Sequence, residues 1–217
     1  MSSRNRAAQF LGGKMYIYLT RHGETLWNAA GKTQGVQDIS LSDRGIRQAE
    51  ILADRLSQEN LSALFCSNLE RAYRTAAIIG DKVGLLPEKR DELREISCGD
   101  WEGLTLEQIE ERYPGELAVR NTDFQFSPRG GECIQSVRGR VRCFLDMLQS
   151  RNYDGDSRIL VVSHAYTARL LLIELMSLSS EHLWDFRLDN TGISIIQSDQ
   201  GRRRIVCLND TCHLHKA

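Results

Sequence analysis

The side chains that could do chemistry together are Arg21, His22, Arg71, Glu95 and His164. Arginine presents a planar fork of donors that fits the oxygens of a phosphoryl group. A neutral imidazole can attack phosphorus and carry the phosphoryl group covalently. A carboxyl group can give a proton to a leaving oxygen and later take one from water. Two arginines, two histidines and one acid would make a pocket that is positive overall and still holds a proton donor. Taken singly, each residue has an ordinary explanation. A histidine after a strand is most often structural, and an arginine in a first helical turn is most often solvated. Only convergence gives the set a meaning, so the elements that position these residues decide the question.

The stretch 15–23, MYIYLTRHG, is an alternating apolar run that stops at Thr20, the pattern of a buried strand. Arg21 and His22 then sit at its carboxyl end, where open α/β sheets place their ligands. Gly23 turns the chain and leaves room for a bound group. Residues 24–40 read as a long loop carrying Asn28 and Gln34, both able to donate an amide N–H to an anion. Ser42 caps a helix running to about Gln58.

Residues 61–66 form a second strand, and Ser67-Asn68-Leu69-Glu70 matches a capping box that opens the next helix. Arg71 falls in its first turn, where a cation is disfavoured unless an anion is expected there. Residues 87–96 read as a strand ending in Arg94-Glu95. Thr105 to Gln108 caps a short helix that stops before Pro114. The aperiodic stretch 115–131 belongs to a lid or insertion near 104–131. Residues 132–149 have a helical period, and RILVVS (158–163) has the strongest parallel-strand character. It stops at His164, and a helix follows over 165–176. Residues 193–198 and 204–208 close the chain as a strand pair. Alternating strands and helices predict an α/β fold: a three-layer α/β/α arrangement with a mainly parallel sheet of about six strands.

A chain of 217 residues with 41% hydrophobic and 26% charged residues is most simply one domain with a sizeable core. We expect that domain over 15–217, preceded by a disordered leader over 1–14, which is polar and basic with a Gly-Gly end. A net charge of −1 gives no reason to expect a nucleic-acid or membrane partner. Six cysteines without a CxxC pair suggest reduced thiols in a cytoplasmic protein. The tail Cys212-His213-Leu214-His215 lacks a matching second ligand pair, which argues against a metal site.

The segments RHGETLWN (21–28), QGVQDISLS (34–42), CSNLERAYRTA (66–76), LREISCGDWEG (93–103), GGE (130–132) and VVSHAYTARLL (161–171) resemble the histidine phosphatase superfamily, in its phosphoglycerate-mutase-like branch. The resemblance spans essentially all of 15–217. It implies that His22 is a nucleophile that becomes phosphohistidine and that Glu95 is the general acid and base. It further implies that Arg21, Arg71 and His164 clamp the phosphate, with Asn28, Gln34, Gly35 and Ala165 completing the clamp. No metal or organic cofactor is implied, since arginines neutralise the charge.

The resemblance points first to a metal-independent phosphomonoesterase acting on a small phosphorylated metabolite. The alternatives are a phosphoglycerate mutase and a non-catalytic phospho-ligand binder. The mutases of this family carry paired arginines in a longer insertion, whereas Arg112, Arg120 and Arg129 here are not adjacent. Every nucleophile and clamp residue is present, which counts against a degenerate member. Cys98, Tyr166 and Cys133 depart from the commoner residues at their positions and leave the substrate open. Monomer and homodimer are equally compatible with the sequence.

Overall fold

The computed structural model describes residues 14–151, 153, 155–199 and 201–215. The leader expected over 1–14 therefore lies, but for Lys14, outside the described residues.

Six strands form one sheet: β1 (Met15–Arg21), β2 (Ala63–Ser67), β3 (Glu88–Arg90), β4 (Ser157–Ser163), β5 (Ile193–Asp199) and β6 (Arg202–Asp210). Their order is β3-β2-β4-β1-β5-β6. The pairs β1·β4, β2·β4 and β2·β3 are parallel, while β5 runs antiparallel to both β1 and β6. Three of these five pairings are parallel, so the sheet is mixed: mainly, but not purely, parallel. The cause is the path taken before β5. Residues up to Asn190 bring the chain back to the carboxyl end of β1, where Asn190 bridges to Arg21. Strand β5 therefore starts at that end, with Ile193 opposite Thr20, and must run down the sheet. Strand β6, which starts with Arg202 opposite Asp199, then reverses direction again.

Among the described residues, seven helices accompany the sheet: α1 (Leu26–Ala29), α2 (Asp43–Leu56), α3 (Glu70–Val83), α4 (Leu106–Arg112), α5 (Glu116–Thr122), α6 (Ile134–Ser150) and α7 (Ala165–Met176). Alternate strand residues feed two apolar clusters. Ile17, Leu19, Ile159 and Val161 pack with Val137, Phe144 and Leu172 of α6 and α7. Tyr18, Leu160 and Val162 pack with Leu52, Ala76 and Ile79 of α2 and α3. Strand β4 is buried from Ile159 through Ser163, so each of its large aliphatic side chains contributes roughly 1.5–3 kcal/mol on leaving water.

Several boundaries differ from those expected. The loop over 24–40 contains α1, closed by a capping box between Thr25 and Asn28. The capping box predicted at Ser67 does not form. Leu69 is the N-cap without a side-chain bond, Ser67 Oγ instead accepts from the Leu69 N–H, and Glu70 N donates to Asp38 Oδ1 at 2.7 Å. The strand expected over 87–96 is confined to Glu88–Arg90, followed by a 3-10 turn at Asp91–Leu93. The aperiodic stretch holds α5, entered through Gly115 at φ 80°. The capping box at Thr105, the Ser42 cap and the 165–176 helix are as expected.

Candidate active site

The register of β1 on β4 builds the floor of the site. Arg21 pairs with Ser163, so the two following residues, His22 and His164, leave the sheet side by side. His22 N donates to Ser163 O at 3.0 Å, and the imidazole centroids lie 5.0 Å apart. His22 is 2% exposed. Its Nδ1 is 2.7 Å from Gly23 O. A carbonyl only accepts, so Nδ1 carries the proton and the Nε2 lone pair faces the cavity side. Arg71 Nε donates to that lone pair at 3.3 Å. Burial, then Arg71 and Arg21, hold His22 well below its ordinary 6.5, and burial followed by Arg71 does the same to His164. Both rings are neutral at physiological pH.

Arg71 is 1% exposed, and its Nη1 and Nη2 each donate one bond, to Gln37 O and Gly35 O, at 2.7 Å. Gly35 adopts φ 54°, and a Cβ there would collide with the Glu102 carboxylate, so only glycine fits the turn. An added Cβ at Gly23 would strike the Gly45 carbonyl in the first turn of α2. Arg21 has a buried Nε without a partner and a single long bond to Leu188 O at 3.4 Å.

Glu95 stands at the exit of the 3-10 turn, not at a strand end. Its Oε2 accepts from Tyr166 N and its Oε1 from Thr167 N, both at 3.3 Å, at the opening turn of α7. Ile96 N adds a bond at 3.1 Å. Behind it, Arg140 of α6 donates to the carbonyls of Glu92, Arg94 and Glu95 at 2.8, 2.6 and 3.0 Å. Glu132 faces Arg140 and accepts from Ser97 N at 2.9 Å. Arg140 and Glu132 thus hold the backbone from which Glu95 projects.

Arg21, His22, Asn28, Gln34, Gly35, Arg71, Glu95 and Ala165 all line one cavity of about 440 Å³. His164 does not; it is fully buried beside His22 with both ring nitrogens unpartnered. Asn28 Oδ1 takes bonds from Thr25, and Gln34 Oε1 takes one from Thr25 Oγ1 at 2.9 Å. Both amides therefore keep their NH₂ ends available. Tyr166 and Cys98, two of the three departures, line the cavity wall. Cys133, the third departure, is the α6 N-cap, 3.2 Å from Ser136 Oγ.

Two contributors escape a reading of the sequence. Asn190 Nδ2 donates to His22 O at 2.7 Å and buttresses the backbone of the candidate nucleophile from the distant 188–191 segment. Arg140 looks like one more polar residue on a helix. Nothing local marks either of them. Arg120, named above only for lacking an arginine neighbour, lines the cavity. Among the described residues, no group of three or more His, Cys, Asp or Glu is placed to hold a metal ion. No described helix is long and apolar enough to cross a membrane.

The neutral histidines have a consequence for stability. Both are uncharged in the fold and titrate near 6.5 when unfolded, so below that pH the unfolded chain binds more protons. Their contribution is complete above pH 6.5 and is lost as pH falls, by up to about 1.4 kcal/mol per pH unit for each. Calorimetry should record a falling Tm between pH 7 and 5.5, where carboxylates remain ionised. A flat or rising Tm over that window is incompatible with buried neutral rings.

Residues 17–211 match the sequence model of the histidine phosphatase superfamily (branch 1). The chain belongs to that family. It is 36% identical over 203 residues to phosphoserine phosphatase 1 of Hydrogenobacter thermophilus, covering 91% of this chain and 93% of that protein. It is 34% identical over 182 residues to the probable phosphoglycerate mutase GpmB of Yersinia pestis, covering 83% of each. Among solved structures, a mycobacterial glucosyl-3-phosphoglycerate phosphatase complexed with VO3 superposes with a TM-score of 0.83 at 28% identity, over 90% of this chain and 99% of that one.

Proposed function

We propose that the protein is a metal-independent phosphomonoesterase acting on a small phosphorylated metabolite through a phosphohistidine intermediate. The observation that carries this reading is the His22 imidazole: neutral, with Nδ1–H fixed on Gly23 O and Nε2 unprotonated beside two arginines. A nucleophile, a phosphate clamp and a proton donor meet in one cavity. In the first half-reaction, the His22 Nε2 lone pair bonds to phosphorus as the ester P–O bond breaks, and the leaving oxygen takes the Glu95 proton. In the second, water gives a proton to the Glu95 carboxylate and attacks phosphorus, and the N–P bond breaks. Arg21 and Arg71 neutralise the phosphoryl oxygens throughout, with Arg71 releasing Nε2 when phosphate arrives. His164 completes the clamp from below. Asn28, Gln34 and the Ala165 end of α7 close it from the sides.

We read the two-cluster core as a three-layer α/β/α arrangement and 15–217 as one domain. Residues 104–131 form its lid, since Leu106, Ile109, Leu117 and Arg120 line the cavity. A cytoplasmic location accords with free cysteines at all six positions. The similarity to GpmB keeps a mutase as the second reading; the absence of an arginine pair in 110–131 favours hydrolysis.

The test is a panel of phosphomonoesters in EDTA, including 3-phosphoglycerate. Inorganic phosphate should appear in step with the free alcohol, and EDTA should leave turnover unchanged. Interconversion of 3- and 2-phosphoglycerate without phosphate release would establish the mutase. Activity recovered only by a divalent ion would end the metal-independent mechanism.

A further inference from the structure

Thr167, in the opening turn of α7, is fully buried and touches Glu95, itself 8% exposed. Glu95 has to serve in two forms, as a carboxyl that gives a proton and as a carboxylate that takes one. Three backbone amides suit the second form: Ile96 N and Thr167 N donate to Oε1, and Tyr166 N donates to Oε2. An amide N–H cannot accept, so none of the three has a place for the hydrogen of the acid form. Thr167 Oγ1 has one. It lies 2.7 Å from the Arg94 carbonyl and 3.3 Å from Glu95 Oε1. The carbonyl only accepts, so the hydroxyl spends its single hydrogen on that shorter contact. The lone pairs of Oγ1 are left facing Glu95 Oε1. There they can accept from a protonated oxygen and have nothing to give an ionised one. Arg140 Nη1 donates to the same Arg94 carbonyl at 2.6 Å and fixes it from the side of α6. Since Thr167 has no exposed surface, water cannot stand in for its hydroxyl.

We infer that Thr167 is a positioning residue that supplies the acid form of Glu95 with its hydrogen-bond acceptor. The inference rests on the phosphomonoesterase reading and gives each form of the carboxyl its own partners. Thr167 Oγ1 holds the carboxyl hydrogen until the leaving oxygen takes it. The O–H bond of Glu95 breaks as the O–H bond of the alcohol forms. The electron pair stays on the carboxylate, where the three amides hold it. When water returns a proton, the contact with Thr167 forms again.

The test measures single-turnover rates for the alkyl ester turned over best in the panel above and for p-nitrophenyl phosphate, whose leaving group needs little protonation. Thr167→Val keeps the side-chain shape and the backbone N–H and removes the hydroxyl. It should slow the alkyl ester by about 10- to 100-fold, the scale of one hydrogen bond to an ionisable group. The aryl ester should slow by less than about threefold. Thr167→Ser, which restores the hydroxyl, should return the alkyl rate to within about threefold of wild type. In a Glu95→Gln background, Thr167→Val should change the alkyl rate by less than about threefold, because the proton it serves is gone. If the valine variant does not fold, Thr167→Ala gives the same comparison. Equal losses for the two esters, no loss for the alkyl ester, or a folded Thr167→Ser as slow as Thr167→Val overturns the role of Thr167 and leaves the phosphatase reading standing. Absence of turnover with every ester by the wild-type protein defeats that reading, and the role of Thr167 with it.

Discussion

Replacing His22 by alanine is expected to lower kcat for every phosphomonoester by on the order of 10⁴-fold or more, the scale seen when a nucleophile is deleted. The loss should not depend on the leaving group, because the bond that fails to form is common to all substrates. His22→Asn serves as the companion variant, since its amide N–H can still reach the carbonyl of Gly23 that Nδ1 contacts at 2.7 Å. That variant keeps the local fold and lacks the Nε2 lone pair. Rapid quenching of wild-type enzyme with phosphoryl-labelled substrate should trap label that is acid-labile and base-stable. Label on a serine, or on no residue, would remove His22 from the nucleophilic role even if activity were lost.

Glu95→Gln should cost ~10²–10⁴-fold with alkyl phosphates, the usual contribution of general acid catalysis. An aryl phosphate with an activated leaving group needs little protonation and should lose much less. The glutamine can retain the bonds from Ile96 N, Tyr166 N and Thr167 N, so unequal losses report the proton and not the scaffold. Arg140→Met should show the same leaving-group dependence in weaker form, because Arg140 holds the Glu95 carbonyl at 3.0 Å without touching substrate. In a Glu95→Gln background it should add little. Equal losses for aryl and alkyl esters would dismiss Glu95 as the acid. Its sequence neighbours Asp100 and Glu102 are poor substitutes. Neither lines the cavity, and Glu102 ties the Val36 and Cys98 amides together at 3.0 Å each.

The parts of the fold that were legible in the sequence are those whose signal is local. Strands β1 and β4 are runs of buried β-branched or aromatic residues, and their ends coincide with the histidines. Helices α2 and α4 announce themselves through Ser42 and Thr105, whose caps form within three residues. Ser67 misled because a competing partner, Asp38, reached the α3 amide from 32 positions away. The antiparallel placement of β5 follows from where residue 190 lands, which no window of sequence contains. The candidate catalytic set was readable because its members end strands or open helices, except Glu95, whose supposed strand gives way to a 3-10 turn. Arg140 and Asn190 went unseen for one reason. Each acts through contacts across the fold, and neither spacing nor neighbouring residues encode them.

The bond from Asn190 to the carbonyl of His22, together with the Thr191 N to Arg21 O bond at 2.9 Å, has a consequence during synthesis. The segment carrying Arg21 and His22 leaves the ribosome well before the one that braces its backbone, 168 residues further along. Strand β1 must also wait for β4 and β5, its neighbours on both sides. A nascent chain halted before residue 190 therefore carries Arg21 and His22 without their closing contacts. Catalytic competence should arise abruptly, only once residues 190 and 191 have emerged and the slow long-range closure is complete.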